Sequence, residues 1–264
     1  MQRRICLAQI GFEPDIKKNI EKIKTIISEH RKADLIVFPE LILHGHPSVD
    51  KPEGLLYRRV KNFYRSVVSD ADDLYRYIKL VGAHVIVGEL KGGPGRFYNV
   101  ATYVDQEQIL HYSKTHIHWS ENFRAGKELL LFETALGRIG PLICFDAAFS
   151  EVWRVLTLKG ADIIVNISAT PASFDPGYIW KRLVGAAFYN QIFVIYVNRP
   201  GESFSGHSAI IDPRGNILCD AGKKEKVIEY DIDLDEMKSW RQEERLFNHR
   251  RPILYRDIAR KFTI

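Results

Sequence analysis

Three ionisable side chains stand where buried strands would end: Glu40 after DLIVFP, Lys114 after QILHYS and Cys144 after GRIGPLI. In open α/β sheets, sites form in the crevice outside the carboxyl ends of the strands. A thiol, a carboxylate and an ammonium meeting in one crevice make a complete set for acyl transfer. Cys144 would attack a carbonyl or nitrile carbon and become acylated. Glu40 would take the thiol proton, a general-base role worth about 10²–10⁴-fold. Lys114 would neutralise the oxygen of a tetrahedral adduct, where one donor is worth about 3–4 kcal/mol. The helical stretch beyond Cys144, SEVWRVLTLKGA, predicts a helix amino end that faces the thiol and favours its thiolate. Singly, each residue has a plainer reading: a core thiol, a turn carboxylate, a surface cation. Cys6 and Cys219 are read as small core hydrophobes.

The elements around these residues follow from periodicity. RRICLAQIG alternates as a strand, and Ile16, Ile20, Ile23 and Ile27 recur at helical spacing. DLIVFPEL reads as a short strand buried on both faces and stopped by Pro39. A second helix is expected over about 55–80, with a possible break near Ser69. HVIVGEL, NVATYVD and QILHYSK read as strands, the first two joined by the KGGPGR turn, which lacks GKS or GKT and is not a phosphate loop. THIHWSENFRAGKE has no period and reads as a long functional loop. LLLFET, RIGPLICF, ADIIVNIS, FVIYVN, an AIIDPRGNILCD hairpin and KVIEYDID supply further strands. Helices are expected over 151–159, around Trp180, Leu183, Val184 and Ala187, and over DLDEMKSWRQEERL. Helices alternating with strand pairs predict a layered α/β protein.

Composition narrows the class. The chain has 264 residues, 45% of them hydrophobic, and reads as one domain over 1–264 without repeats or linkers. No run approaches the roughly 18 apolar residues needed to span a bilayer. The polar turn after MQRRICLAQIG and three cysteines without a CxxC pair predict a reducing, cytoplasmic location. Net charge is +5, and the segment RQEERLFNHRRPILYRDIARKF holds seven Lys or Arg against three acids. With no nucleic-acid motif beside it, the tail over about 246–264 reads as solvated or as a subunit contact.

At FPEL with Glu40, YSKTHIHWSENFRAGKE with Lys114 and GRIGPLICFDAAFSE with Cys144, the chain resembles the nitrilase superfamily, the carbon–nitrogen hydrolases. The likeness continues through LKGADIIVNISAT, YNQIFVIYVNRPG, SGHSAIIDPRGNIL and RRPILY, in order along nearly the whole chain. It implies a four-layer α-β-β-α sandwich whose subunits pair into an eight-layer body, at least a homodimer. It also implies that Glu40, Lys114 and Cys144 form a Glu-Lys-Cys triad. Glu121 would lie beside the triad, and the Phe145 amide would complete the oxyanion pocket. No metal or organic cofactor is implied. The activity implied is hydrolysis of a small linear amide or N-carbamoyl compound. Nitrile hydrolysis and a non-catalytic binding role on the same fold are the alternatives. Many members carry Arg and Pro where Ala148 and Ser150 stand, and a charged pair where Ala186 and Tyr189 stand, so the substrate branch stays open.

Other candidates flank the triad. His116 is expected beside Lys114, and Trp119, Phe123 and Tyr98 could line a pocket. Asp146 points away from Cys144 if the strand continues, or else caps the following helix. Ser168 and Ala169 reach the same sheet edge. The HGH (His44, His46) and HIH (His116, His118) pairs lack supporting acids or cysteines and are not read as metal ligands.

Overall fold

Period-2 runs and helical runs alternate along this chain, and in a computed structural model they resolve into two sheets with helices outside. The structure describes residues 1–45, 60–93 and 96–260. In chain order the elements begin with β1 (Gln2–Gln9), α1 (Ile16–Glu29), β2 (Leu35–Val37), α2 (Val60–Val81), β3 (Val85–Gly93), β4 (Arg96–Val104) and β5 (Ile109–Ser113). The second half runs β6 (Phe132–Thr134), β7 (Gly137–Ile143), a 3₁₀ turn (Cys144–Ala148), α3 (Ser150–Leu158), β8 (Ile163–Ser168), α4 (Pro176–Asn190) and β9 (Phe193–Asn198). It closes with β10 (Ala209–Ile211), β11 (Ile217–Asp220), β12 (Lys226–Asp233), α5 (Leu234–Glu244) and a 3₁₀ stretch (Pro252–Ala259).

One sheet has the order β12-β1-β2-β3-β4-β5 and the other β11-β10-β9-β8-β7-β6. In each, parallel pairing is confined to three central strands: β1, β2 and β3 in the first, β7, β8 and β9 in the second. Antiparallel strands flank both trios. Those centres are buried on both faces, which is why LIV, IIVNIS and FVIYVN are almost wholly apolar. Ile5, Leu7, Val37, Ile86 and Tyr103 of the first sheet share one core with Leu142, Ile164, Val194 and the α3 and α4 residues Trp153, Leu156 and Leu183. The outer face of the first sheet packs Ile36, Val85 and Val87 against Ile20, Ile23 and Ile27 of α1 and Leu74 and Ile78 of α2. The result is the α-β-β-α layering that the family resemblance implies.

Local chemistry explains the boundaries. Asp15 caps α1, its carboxylate accepting from the Lys17 amide at 2.9 Å, a contact worth about 1 kcal/mol. α2 runs without interruption through Ser69, contrary to the expected break, and its Ala71, Leu74, Tyr75 and Ile78 pack against α1 and the first sheet. Residues 55–59 of that expected helix lie outside the described residues, as do 94 and 95 of the KGGPGR turn, although Gly93 pairs with Arg96 across the hairpin. No described helix is long and apolar enough to cross a membrane.

Candidate active site

The carboxyl ends of β2, β5, β7 and β8 converge at one edge of the sandwich. Glu40 lies three residues beyond β2, Lys114 directly follows β5, Cys144 directly follows β7, and Ala169 directly follows β8. Glu40 and Lys114 are completely buried. Lys114 Nζ donates to Glu40 Oε1 at 3.1 Å and to both oxygens of Glu121, at 2.8 and 2.9 Å. Glu121 is itself pinned by the His118 amide, which donates to its Oε2 at 3.1 Å. The Ala169 amide donates to Glu40 Oε2 at 2.7 Å, and it also favours the charged form of the Cys144 thiol. One buried cation therefore meets two carboxylates beside one thiol.

Backbone strain marks the same place. Cys144 has φ 45° and Leu41, next to Glu40, has φ 53°. For residues other than glycine this left-handed conformation costs about 1–2 kcal/mol. Here it swings the thiol out of the line of β7 into the crevice. Asp146 holds the bend. Its Oδ2 accepts from the Ile143 amide at 3.0 Å and the Tyr112 hydroxyl at 2.9 Å, while Oδ1 accepts from the Thr115 hydroxyl and the His116 amide, at 2.9 and 2.8 Å. Asp146 thus ties the turn carrying Cys144 to the loop carrying Lys114, and it does not cap α3.

The electrostatics correct one expectation. Burial, followed by the Glu40 charge, pushes the Cys144 thiol up to about 12, and Lys114 only partly offsets this. The helix that was to favour thiolate starts at Ser150, beyond the 3₁₀ turn, so its amino end does not decide the matter. Burial thus favours the neutral thiol at Cys144. For Lys114, burial acts against the charge, but Glu40, Cys144 and Glu121 outweigh it and hold the ammonium well above the ordinary lysine range.

The remaining candidates divide. His116 does not reach Lys114 by any bond described. It lies 3.0 Å from Asp146 and stacks on Phe149 with ring centroids 4.0 Å apart. Trp119 is 82% exposed and packs edge-on to Phe145 beside His118, a surface aromatic step next to the nucleophile rather than a buried wall. Ser168 points to Asn166, donating at 2.8 Å. His44 Nδ1 accepts the Leu90 amide at 2.9 Å, a structural use, and His46 lies outside the described residues.

Two contributors escaped the sequence reading. Asn99 on β4 donates from Nδ2 to Glu40 Oε1 at 2.6 Å. Its signal was a polar residue on a strand face otherwise continued by Ala101 and Tyr103. Gly88 on β3 is the other. A Cβ there would meet Pro39 O at 2.4 Å, Leu41 N at 2.5 Å and Glu40 Cα at 2.6 Å. Gly88→Ala must therefore displace the Glu40 backbone. Misplacement on the order of 1 Å costs about 10²-fold. Turnover by Gly88→Ala is expected to fall by at least that factor while far-ultraviolet circular dichroism stays native-like.

Comparison with known proteins gives the family. The family model for carbon–nitrogen hydrolases matches residues 4–242. A protein of Schizosaccharomyces pombe named a probable nitrilase is 31% identical over 96% of this chain and 97% of its own length. An (R)-stereoselective amidase of Pseudomonas is 31% identical over 95% of this chain and 92% of its own. Among solved structures, a carbon–nitrogen hydrolase from Helicobacter pylori superposes with a TM-score of 0.85 at 20% identity, covering both chains completely.

Proposed function

Because the chain belongs to the carbon–nitrogen hydrolase family, a group of hydrolases of C–N bonds other than peptide bonds, we propose that it cleaves a small linear amide or N-carbamoyl compound through an acyl-enzyme on Cys144. The observation that supports this most is the buried Glu40–Lys114–Glu121 ion group set against the Cys144 thiol. In this reading Glu40 takes the thiol proton as sulfur attacks the carbonyl carbon. The oxygen of the adduct is held by Lys114 and the Phe145 amide. Collapse of the adduct expels ammonia or amine, which carries off the proton returned by Glu40. Water then attacks the thioester, with Glu40 again as base, and the acid leaves. Glu121 keeps Lys114 aimed at the crevice.

The test is a screen of aliphatic amides, ω-amides, N-carbamoyl amines and nitriles for ammonia release, with mass spectrometry of the trapped protein. Turnover of an amide or carbamoyl compound with an acyl adduct on the Cys144 peptide is expected. Faster turnover of a nitrile than of its amide would move the activity to the nitrilase branch. No adduct on Cys144 during turnover would overturn the mechanism.

The reading includes a homodimer formed through α3, α4 and the tail, of the small-molecule enzyme type without nucleic acid or membrane partners. Its support is the apolar surface left open there: Leu158, Phe188, Tyr189, Ile253 and Ile258 are all exposed. Such patches on one face mark association surfaces. Light scattering on the eluted protein is expected to give twice the chain mass of 30.4 kDa, and a single-chain mass would remove the dimer.

A further inference from the structure

We propose that Asn99 is a positioning residue for the base, fixing the plane of the Glu40 carboxylate beside Lys114 and the Ala169 amide. The inference rests on the reading of Glu40 as the general base and goes beyond it by naming what orients that base. Glu40 uses its two oxygens differently. Oε1 accepts from Asn99 Nδ2 at 2.6 Å and from Lys114 Nζ at 3.1 Å. Oε2 accepts from the Ala169 amide at 2.7 Å, the same amide that favours the charged form of the Cys144 thiol. Twisting the carboxylate about its last bond would carry both oxygens away from these donors, and the short Asn99 contact opposes that twist. An amide oxygen placed at this distance from Oε1 would set acceptor against acceptor, so the side chain must present its NH₂ group there.

Two observations separate this role from ordinary packing. Asn99 is completely buried, and among the described residues its Oδ1 has no hydrogen-bond partner. An unmet buried acceptor costs about 1–3 kcal/mol, so a merely structural amide would be a poor choice between Phe97 and Ala101. The second is that its backbone also serves the site, since the Asn99 carbonyl accepts the Lys114 amide at 2.9 Å. One strand residue thus sets the heights of both base and cation. Gly88, on the neighbouring strand, supplies the close approach that lets Glu40 reach this strand pair.

The expected signature is in the pH dependence. Among the described residues, the titratable groups facing Glu40 are Lys114, Cys144, Glu121 (through Lys114) and Tyr196 on β9. A donor to a carboxylate favours its charged form. In Asn99→Ala the acid limb of kcat/KM should therefore move to higher pH, with kcat down about 10–100-fold and KM changed less than threefold. Asn99→Asp keeps the shape but donates only while protonated. Two carboxyl groups sharing one proton titrate as a pair, so this variant should be active only between an acid limb and a new alkaline limb lying below that of the native protein.

The experiment measures both profiles on the purified full chain with an accepted amide. It also follows the pH dependence of Cys144 alkylation by iodoacetamide, which needs no substrate. Parallel shifts in rate and alkylation support the role. Profiles that superpose on the native ones in both variants overturn it, even if thermal stability falls. Should Asn99→Ala fail to fold, the isosteric Asn99→Asp decides alone. If the native protein releases no ammonia from any amide, the reading of function fails separately, while the alkylation profiles still decide the role of Asn99.

Discussion

Cys144→Ala is expected to lower ammonia release from any accepted amide by at least about 10⁴-fold, the scale on which nucleophile removal acts in comparable acyl transfer. The fold should tolerate the change, because the substitution removes a single sulfur. Retained turnover would dismiss the thiol mechanism. The resting thiol sharpens the result. Cys144 is pushed up to about 12, chiefly by burial, and Cys6 also reaches about 12 for the same reason. Neither is a thiolate at neutral pH. Alkylation of Cys144 near neutrality must then depend on Glu40, and Glu40→Gln should slow it at least about 10²-fold. Cys6, fully buried, should stay unmodified until unfolding. The raised thiols also carry a linkage consequence. Between pH 9 and about 12 the unfolded thiols ionise while the folded ones hold their protons. Stability is therefore fully present below the unfolded value and falls as pH rises through this window.

Lys114→Met should be the most damaging change to stability and activity together. It leaves Glu40 and Glu121, both tied to Nζ in the native site, as neighbouring carboxylates with no cation between them. Breaking a buried pair by removing one partner costs about 3–5 kcal/mol. Loss of the oxyanion donor costs a further 10²–10³-fold or so in rate. The stability deficit should shrink as pH falls, since protonation of one carboxylate relieves the uncompensated charge, and it should widen toward neutrality. Urea midpoints at acidic and neutral pH, compared with those of the native protein, read this directly. Lys114→Met/Glu121→Gln should recover part of the stability and none of the turnover. Equal deficits at both pH values would mean that the cost comes from packing rather than from charge.

Much of the site was legible because each reactive residue is local to a recognisable strand ending. Glu40 follows a buried apolar run closed by Pro39, and Cys144 follows another. Their types point to the proposed base and nucleophile, and the family likeness carried by three segments implies their pairing. Asp146, Asn99 and Gly88 are different in kind. Asp146 admits two readings from its position in the chain, and neither is its actual use, because its four donors come from β5, the following loop and the end of β7. Asn99 looks like one polar residue in a strand, and Gly88 like a small residue in another. Their functions exist only once β3 and β4 lie under the loop that follows β2.

The thiol's protonation shows the same division. Read along the chain, Cys144 precedes a helix and would be expected as thiolate. In the folded protein it is a neutral thiol, because desolvation and the Glu40 charge act through space while the helix starts six residues later. The amino-acid sequence by itself determined the strand and helix periods, the layered α/β class and the placing of Glu40, Lys114 and Cys144 at strand endings, since these depend on side-chain type and near neighbours. Only the tertiary structure decided the protonation of Cys144, the partners of Lys114 and the aim of Glu40. Those depend on burial and on distances between residues as far apart as Glu40 and Ala169, which only the packing of two sheets brings together.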